Sequence, residues 1–270
     1  MRYEEVVKVV EEMIKKAHTE LPPDIIRALE KAYKNEENEI ARKNLEIILE
    51  NIEIAKRNRV PICQDTGIPI FFVELGRELQ LDFSLKSAIA EAVRKCTPSI
   101  LRPNAVHPIT RKNSGDNTGI GVPIVNIEIV DGDRLRIIYM PKGAGSENVS
   151  AQKMLLPTEV GKIKEFVVET IARAMGLPCP PVIIGLGIGG SFDVSTKLAK
   201  KALLRSVETM NDFELEILDS VNSLEIGPMG LGGRTTALAV LSEINYCHTA
   251  SLPVAVNIQC WANRRSEVVL

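Results

Sequence analysis

The run "PPVIIGLGIGG", residues 180–190, restricts the possible fold of this chain more than any other feature. It is apolar throughout, and β-branched residues lead into closely spaced glycines. Such a run predicts a strand that is buried on both faces, and the stretch that follows, "DVSTKLAKKALLRSV", has helical spacing. We therefore predict an α/β (mixed α+β) domain, in which flanking helices cover a mixed sheet.

The remaining elements fit this class. Apolar residues recur at helical spacing through residues 1–57, which predicts a helical N-terminal segment. The series "PIVNIEIV", "DGD" and "RLRIIYM" predicts a β-hairpin, and "LPVAVNIQ" predicts another strand. No linker is evident after residue 60, so we predict one domain over 1–270, made of a helical layer (1–57) and an α/β core (58–270).

Composition excludes several classes of protein. A net charge of -2 and 4% aromatic residues do not favour a nucleic-acid partner. The charged N-terminus lacks the apolar region of a secretory signal. The longest uncharged stretch, 174–192, contains three prolines and five glycines and would be a poor membrane helix. We expect a soluble cytoplasmic protein.

Five cysteines are present, and an odd number without a secretory signal does not favour a disulfide framework. Three of them sit at predicted element ends: Cys63 behind "RVPI", Cys179 before the buried strand, and Cys260 after "LPVAVNIQ". Cys96 falls within a predicted helix, and Cys247 is unassigned. Position alone leaves inert buried thiols and metal ligands equally open. Three thiolates would suit a [4Fe–4S] cluster that keeps one iron open as a Lewis acid.

The glycines of "GLGIGG" offer a competing interpretation. Gly185, Gly187 and Gly190 spell G-x-G-x-x-G after a strand and before a helix, as in an NAD-binding module. Such a module needs a second strand ending in an acid about twenty residues later. Here the pattern instead predicts two consecutive helices, which disfavours a dinucleotide site. The glycines would then serve tight packing, or N–H donation to a cluster.

Six motifs carry a family resemblance, and they occur in this order: "CQDTG", "LRPNAVHPIT" with "NSGDNTG", "KGAGSEN", "CPPVIIGLGIGG", "IGPMGLGG" and "NYCHTASLPVAVNIQCWANRR". Together they resemble the α subunit of the class I iron–sulfur fumarases and the related tartrate dehydratases. The resemblance spans nearly the whole chain and is weakest over the first 57 residues. It implies a hydro-lyase whose [4Fe–4S] cluster has three cysteine ligands and one open iron.

Matched motif by motif, the implied cluster ligands are Cys63, Cys179 and Cys260. The motifs "KGAGSEN" and "NYCHTASLPVAV" resemble the fumarase branch more than the tartrate branch. The expected reaction is therefore the dehydration of (S)-malate to fumarate, with L(+)-tartrate as the alternative substrate.

The resemblance also implies a partner. Fused members carry a second domain that supplies a proton-abstracting threonine, further arginines and a lysine. This chain ends at "RRSEVVL". We expect a separate β subunit, an α₂β₂ assembly, and no turnover by this chain alone.

Roles for individual residues follow from the matched motifs. Asp65 and His248 are the expected catalytic residues, and both are also expected to bind substrate together with Gln64, Arg102 and Gly143. The side chains among them have simpler alternatives, because Asp-Thr-Gly is also good turn chemistry, an arginine can be a solvated surface residue, and a lone histidine is often structural.

Two further features remain open. Asn113, Asp116 and Asn117 could line the pocket or form an ordinary turn. Of the other histidines, His18 is expected at the surface and His107 is unassigned.

Overall fold

The computed structural model describes residues 1–270, and the chain forms two compact units. Unit 1 comprises Met1–Pro22, Asn51–Gly143 and Arg264–Leu270, and unit 2 comprises Pro23–Glu50 and Ala144–Asn263. Each unit contains one four-stranded mixed sheet with helices packed against it. The predicted α/β class is confirmed, while the assignment of 1–270 to one domain stays a prediction.

After three N-terminal helices, helices and strands are interleaved along the chain. The α-helices are α1 (Tyr3–Thr19), α2 (Pro23–Asn35), α3 (Glu39–Asn58), α4 (Leu85–Cys96), α5 (Ala144–Glu147), α6 (Ile163–Ala174), α7 (Phe192–Ala202) and α8 (Asp212–Asn222). The strands are β1 (Ile68–Gly76), β2 (Ile124–Val130), β3 (Leu135–Lys142), β4 (Ala151–Leu155), β5 (Val182–Gly190), β6 (Ala237–Cys247), β7 (Leu252–Gln259) and β8 (Ser266–Val269). No helix combines the length and the apolar character that crossing a membrane requires.

The helical N-terminal segment is confirmed, but its helices divide between the units. α1 lies in unit 1, where Val6, Val10 and Ile14 share one buried face that packs with α4 and the sheet. α2 lies in unit 2, as does α3 up to Glu50. Residues 1–57 therefore contribute to two cores.

The sheet of unit 1 corrects the predicted hairpin. β2 and β3 both form, but the strand order is β2-β1-β3-β8, so β1 lies between them. β1 runs parallel to β2 and antiparallel to β3. Its sequence "IPIFFVELG" is nearly all apolar and its middle is buried, so the central position suits it. The hairpin was wrong because this strand pairs with both of its arms.

The sheet of unit 2 has the order β4-β7-β5-β6, with β5 parallel to β6 and antiparallel to β7. The predicted strands at 182–190 and 252–259 and the helix after the first are confirmed. A Cβ on Gly185 would lie 2.0 Å from the Ala199 carbonyl oxygen, and one on Gly187 would lie 2.0 Å from that of Ser195. These glycines therefore let α7 pack directly on β5, which confirms the packing interpretation. α7 and α8 follow β5 with no strand between them, as predicted. A dinucleotide-binding unit would have a second strand at this point.

Candidate active site

The loop "CQDTG", residues 63–67, is held in one conformation by an internal hydrogen bond and by close packing on β3. The Gly67 N–H donates to Asp65 Oδ1 at 2.9 Å, which closes an Asx turn. Gly67 has a φ of 72°, and a Cβ there would lie 2.7 Å from the Lys142 carbonyl carbon. Only glycine fits this position, because both the backbone conformation and the close approach to β3 exclude a side chain. The turn interpretation of Asp-Thr-Gly is thus correct, and it orients Asp65.

Thr66 connects this loop to Arg102. Its buried Oγ1 accepts the Arg102 N–H at 2.9 Å and the Asn104 Nδ2–H at 3.0 Å. The backbone of Arg102 is therefore fixed beside the loop, 36 residues away in sequence, while its side chain is exposed. Gln64 is also exposed, and Asp65 is half-buried.

Asn117 supports the same segment from inside. Its Oδ1 accepts the N–H groups of Asn104 and Ala105 at 2.7 and 3.1 Å, and its Nδ2 donates to Thr97 Oγ1 and the Arg102 carbonyl at 3.0 and 2.8 Å. The side chain is 1% exposed. Asn117 is therefore a structural residue that shapes 102–105 through long-range hydrogen bonds, and not through a local turn.

Gly143 lies beside both a carboxylate and a guanidinium. A Cβ at this glycine would lie 3.0 Å from Asp65 Oδ2 and 4.0 Å from Arg264 Nη2. The missing side chain thus leaves a small space bordered by a carboxylate and a guanidinium, both belonging to unit 1. Sequence reasoning singled out Asp65 and Gly143 but missed Arg264, although the residue stands in the "CWANRR" motif.

A buried polar chain lies on the other side of Arg264. Arg264 Nη1 lies 3.4 Å from His18 Nδ1, and His18 Nε2 lies 2.9 Å from Tyr139 Oη. Burial, followed by the Arg264 charge, holds the pKa of His18 well below its usual 6.5. Burial also raises the pKa of Tyr139. The expectation that His18 lies at the surface was wrong, because it falls four residues after Ile14 on the buried face of α1.

Cys179 and Cys260 lie at the same edge of the unit 2 sheet. β5 and β7 are antiparallel, with Ile183 paired to Gln259, so the start of one strand lies beside the end of the other. The Trp261 N–H also donates to the Cys179 carbonyl at 3.4 Å. Two of the three predicted ligands, Cys179 and Cys260, are therefore close to each other in unit 2. The third, Cys63, lies in unit 1.

His248 lies at the opposite edge of that sheet. It follows β6, whose last residue pairs with Gly190 at the far end of β5. The eight residues of β7 separate it from Cys260, roughly 25 Å at about 3.3 Å per residue. His248 is exposed, and its Nδ1 accepts the Ala250 N–H at 3.1 Å. The chain does not bring His248 together with Cys179 and Cys260, and its catalytic role stays a prediction.

The five cysteines differ in their surroundings. Cys96 is fully buried, and burial raises the pKa of its thiol to about 11, which disfavours the thiolate. Cys247 is exposed, and its Sγ lies 3.2 Å from the Ser251 carbonyl oxygen, to which it donates. Cys179 is exposed, and Cys63 and Cys260 are half-buried. Nowhere do three His, Cys, Asp or Glu side chains form a group that could hold one metal ion.

A cavity of about 520 Å³ lies in unit 1, between the segments 105–114 and 118–122. His107, Lys112 and Asn113 contribute polar groups, and Val106 and Ile120 contribute apolar ones. None of the residues predicted to bind substrate lines it.

Comparison with known proteins places the geometry in context. Residues 7–269 match the family described as fumarate hydratase (fumerase). A Methanocaldococcus jannaschii protein, provisionally named L(+)-tartrate dehydratase subunit alpha, is 51% identical over 96% of this chain and 95% of its own length. The L(+)-tartrate dehydratase subunit alpha of Escherichia coli O157:H7 is 34% identical over 93% of this chain and 86% of its own length.

A longer relative also matches. A Geobacillus stearothermophilus protein, provisionally named fumarate hydratase class I, is 37% identical over 95% of this chain. The match covers 53% of that relative, so the chain spans about half of its length.

Proposed function

Because the chain belongs to the fumarate hydratase (fumerase) family, we propose that it is the α subunit of a hydro-lyase that interconverts (S)-malate and fumarate. The observation that carries this proposal is the gathering of Asp65, Arg102 and Gly143 around one rigid loop of unit 1. These residues come from three distant motifs. Their carboxylate, guanidinium and N–H groups are the kinds that bind and orient a dicarboxylate.

We propose Cys63, Cys179 and Cys260 as the ligands of a [4Fe–4S] cluster. The donor set fits, because thiolates are the ligands that such clusters take and these three thiols are not sealed in a core. Cys96 does not fit, since its buried thiol resists ionisation. When bound, such a cluster supplies a Lewis acid for the hydroxyl group that leaves.

The protein's own groups would orient the substrate. Arg102, exposed and anchored through its backbone, suits a substrate carboxylate, which an arginine can bind through two parallel hydrogen bonds. Gln64 is also exposed and can donate or accept through its amide. Gly143 offers a backbone without a Cβ, next to Asp65 Oδ2. Asp65 is thereby the carboxylate best placed to manage a proton or hydroxyl of the substrate.

We propose that a separate β subunit completes the enzyme, in an α₂β₂ assembly. Two relatives are named as subunits alpha, and the Geobacillus relative is about twice as long as the matched region. Both facts support a second polypeptide or domain. We expect that subunit to supply the base that removes the C3 proton.

L(+)-tartrate is the second candidate substrate. It is favoured by the names of the Methanocaldococcus and Escherichia relatives. Tartrate differs from malate by one hydroxyl group on the carbon that loses the proton. A site that hydrogen-bonds this hydroxyl would discriminate strongly against malate, whereas an apolar contact there would favour malate.

The test is anaerobic co-purification of this chain with its candidate β subunit, followed by assays on (S)-malate, fumarate and L(+)-tartrate. We expect the pair to be active with malate and fumarate, and this chain alone to be inactive. A kcat/KM that is higher for tartrate would establish the second candidate. Absence of activity on all three substrates by a preparation that contains the cluster would overturn the proposal.

A further inference from the structure

The motif "IGPMGLGG", residues 226–233, has no role in the proposed function. It forms a loop of unit 2 that precedes β6, and we name it loop 226–233. A 3₁₀ turn, Pro228–Gly230, lies inside it, and the Gly232 N–H closes it by donating to the Ile226 carbonyl at 2.9 Å. A Cβ on Gly227 would lie 1.9 Å from the Gly232 carbonyl oxygen. The loop is therefore tightly closed on itself.

Cys179, one of the proposed cluster ligands, has an unusual backbone conformation. Its φ is 55°, in the left-handed region that a residue with a Cβ adopts only at an energetic cost. Its N–H donates to the Gly176 carbonyl at 3.1 Å, and its carbonyl accepts the Trp261 N–H at 3.4 Å. Conformations of this kind persist only where the surrounding structure enforces them, and they are concentrated at functional sites.

Loop 226–233 is hydrogen-bonded to the chain beside this cysteine. The Met229 N–H donates to the carbonyl oxygen of Pro180, the residue directly after Cys179, at 2.8 Å. This is a hydrogen bond of normal length. Met229 has a φ of 58°, so it too is held in the left-handed region. The hydrogen bond therefore joins two segments that each contain a strained residue.

A second contact joins the same two segments. A Cβ on Gly230 would lie 2.6 Å from the Gly176 Cα, and one on Gly176 would lie 3.3 Å from the Gly230 Cα. The two backbones therefore pack directly on each other, which only glycine permits. Gly176 also provides the carbonyl that accepts the Cys179 N–H. Loop 226–233 thus contacts the chain on both sides of Cys179, at Gly176 and at Pro180.

We propose that loop 226–233 is a positioning element for Cys179: Met229 holds Pro180 by a hydrogen bond and Gly230 packs on Gly176, so that the backbone of the ligand is fixed by the fold. This inference rests on the proposed function, in which Cys179 is a cluster ligand. The loop would then help to retain the cluster without contributing a ligand. Removal of groups that orient metal ligands typically lowers metal affinity about 10- to 100-fold.

Gly230→Ala in the α subunit, co-purified anaerobically with the β subunit, tests this role. The added Cβ must displace Gly176, so we expect iron to pass to the chelator ferrozine roughly 10- to 100-fold faster than from the unmodified protein. Gly232→Ala is the matched control. Gly232 lies in the same loop with a φ of 85°, against 77° for Gly230, but its Cβ would have no contact closer than 3.9 Å outside the adjoining residues. Both variants carry the same backbone strain, so Gly232→Ala should release iron at nearly the unmodified rate.

Gly176→Ala changes the same contact from the other side. Its Cβ would lie 3.2 Å from the Met229 carbonyl oxygen, and the backbone of Gly176 lies outside the left-handed region, so the substitution adds no backbone strain. It therefore decides the question if Gly230→Ala does not fold. We expect faster iron release than from the unmodified protein, and an unchanged rate would overturn the inference.

Cysteine labelling gives a readout that a general loss of stability would not reproduce. A thiolate bound to iron is protected from iodoacetamide, so early labelling reports which ligand is released first. In Gly230→Ala we expect Cys179 to be labelled before Cys260, as measured by mass spectrometry of the peptides. The exposed Cys247 serves as the reference, and the buried Cys96 should stay unlabelled while its surroundings remain folded. Simultaneous labelling of Cys179 and Cys260 would indicate general opening of the unit and overturn the inference.

The remaining outcomes separate the two proposals. If the unmodified protein retains its cluster, and Gly230→Ala and Gly232→Ala release iron equally fast, only the inference fails. It also fails alone if Gly230→Ala is less stable in urea yet releases iron at the unmodified rate. If the anaerobically purified, unmodified protein holds no cluster, or if Cys179→Ser retains one, the proposed ligand set fails and the inference falls with it.

Discussion

The loop at 63–67 and the turn at 248–251 both contain a predicted catalytic residue, yet they are built differently. In the loop, Thr66 and Gly67 make contacts with residues 36 or more positions away. In the turn, His248 bonds only to its neighbours Ala250 and Ser251. Long-range contacts restrict a side chain to one position, whereas local contacts leave the turn exposed. The conformation of the loop is therefore fixed by the fold, and that of the turn is not.

The largest expected loss of stability follows substitution of Gly67. Gly67→Ala should destabilise the protein by about 3 kcal/mol, because it combines a left-handed backbone with a clash against Lys142. Gly115→Ala is the control, since Gly115 has a φ of 85° but open space around it. It should cost about 1 kcal/mol. Urea unfolding measures both, and equal losses would show that the packing of the loop on β3 adds nothing.

Asn117→Ala should have the next largest effect. We expect it to lower the free energy of unfolding by about 2 to 3 kcal/mol, because the four hydrogen bonds of a buried amide are lost together. The exposed Asn113 offers a control, and Asn113→Ala should cost less than about 1 kcal/mol. Thermal unfolding would reveal the difference. Similar values for the two variants would remove Asn117 as the support of Arg102.

A threonine pair compares the loop and the turn directly. Thr66→Val should cost about 1 to 2 kcal/mol, since the Arg102 N–H loses its buried acceptor. Thr249→Val, in the exposed turn, should stay within about 0.5 kcal/mol of the unmodified protein. Chemical denaturation of both variants checks this, and a large loss at Thr249 would mean that the turn is as rigid as the loop.

The buried His18 should make the stability of the protein depend on pH. The folded-state pKa of His18 is lowered below 6.5, so the unfolded chain binds a proton that the folded chain does not. The contribution of His18 to the free energy of unfolding is complete above pH 6.5. It falls as the pH is lowered, by at most about 1.4 kcal/mol per pH unit. His18→Gln should flatten this slope between about pH 6.5 and 5, as urea unfolding measured across that range would show. A slope that survives His18→Gln would show that other groups cause it.

Local pattern was sufficient for most elements. β5 is a continuous apolar run, β7 has the alternation of a strand, and α7 has the apolar spacing of a helix. Local pattern failed where the partner was distant. The hairpin prediction for β2 and β3 was wrong because β1 inserts between them, and no turn sequence records that insertion.

In the candidate site, too, local features were predictable and distant contacts were not. Motifs identified Asp65 and Arg102, and the fold links them through Thr66. The twelve residues from His248 to Cys260 span a full strand, so closeness in sequence became separation in space. The burial of His18 was readable from its spacing after Ile14 on α1. The contact of Arg264 with that histidine was not, because it joins residues 246 positions apart.

The central claim is that Cys63, Cys179 and Cys260 hold an iron–sulfur cluster. Its most direct test is the iron content of five anaerobically purified variants, in which each cysteine in turn is replaced by serine. We predict that Cys63→Ser, Cys179→Ser and Cys260→Ser each lose the cluster, while Cys96→Ser and Cys247→Ser retain it. Equal iron loss across all five variants, or full retention by any of the first three, would contradict the claim.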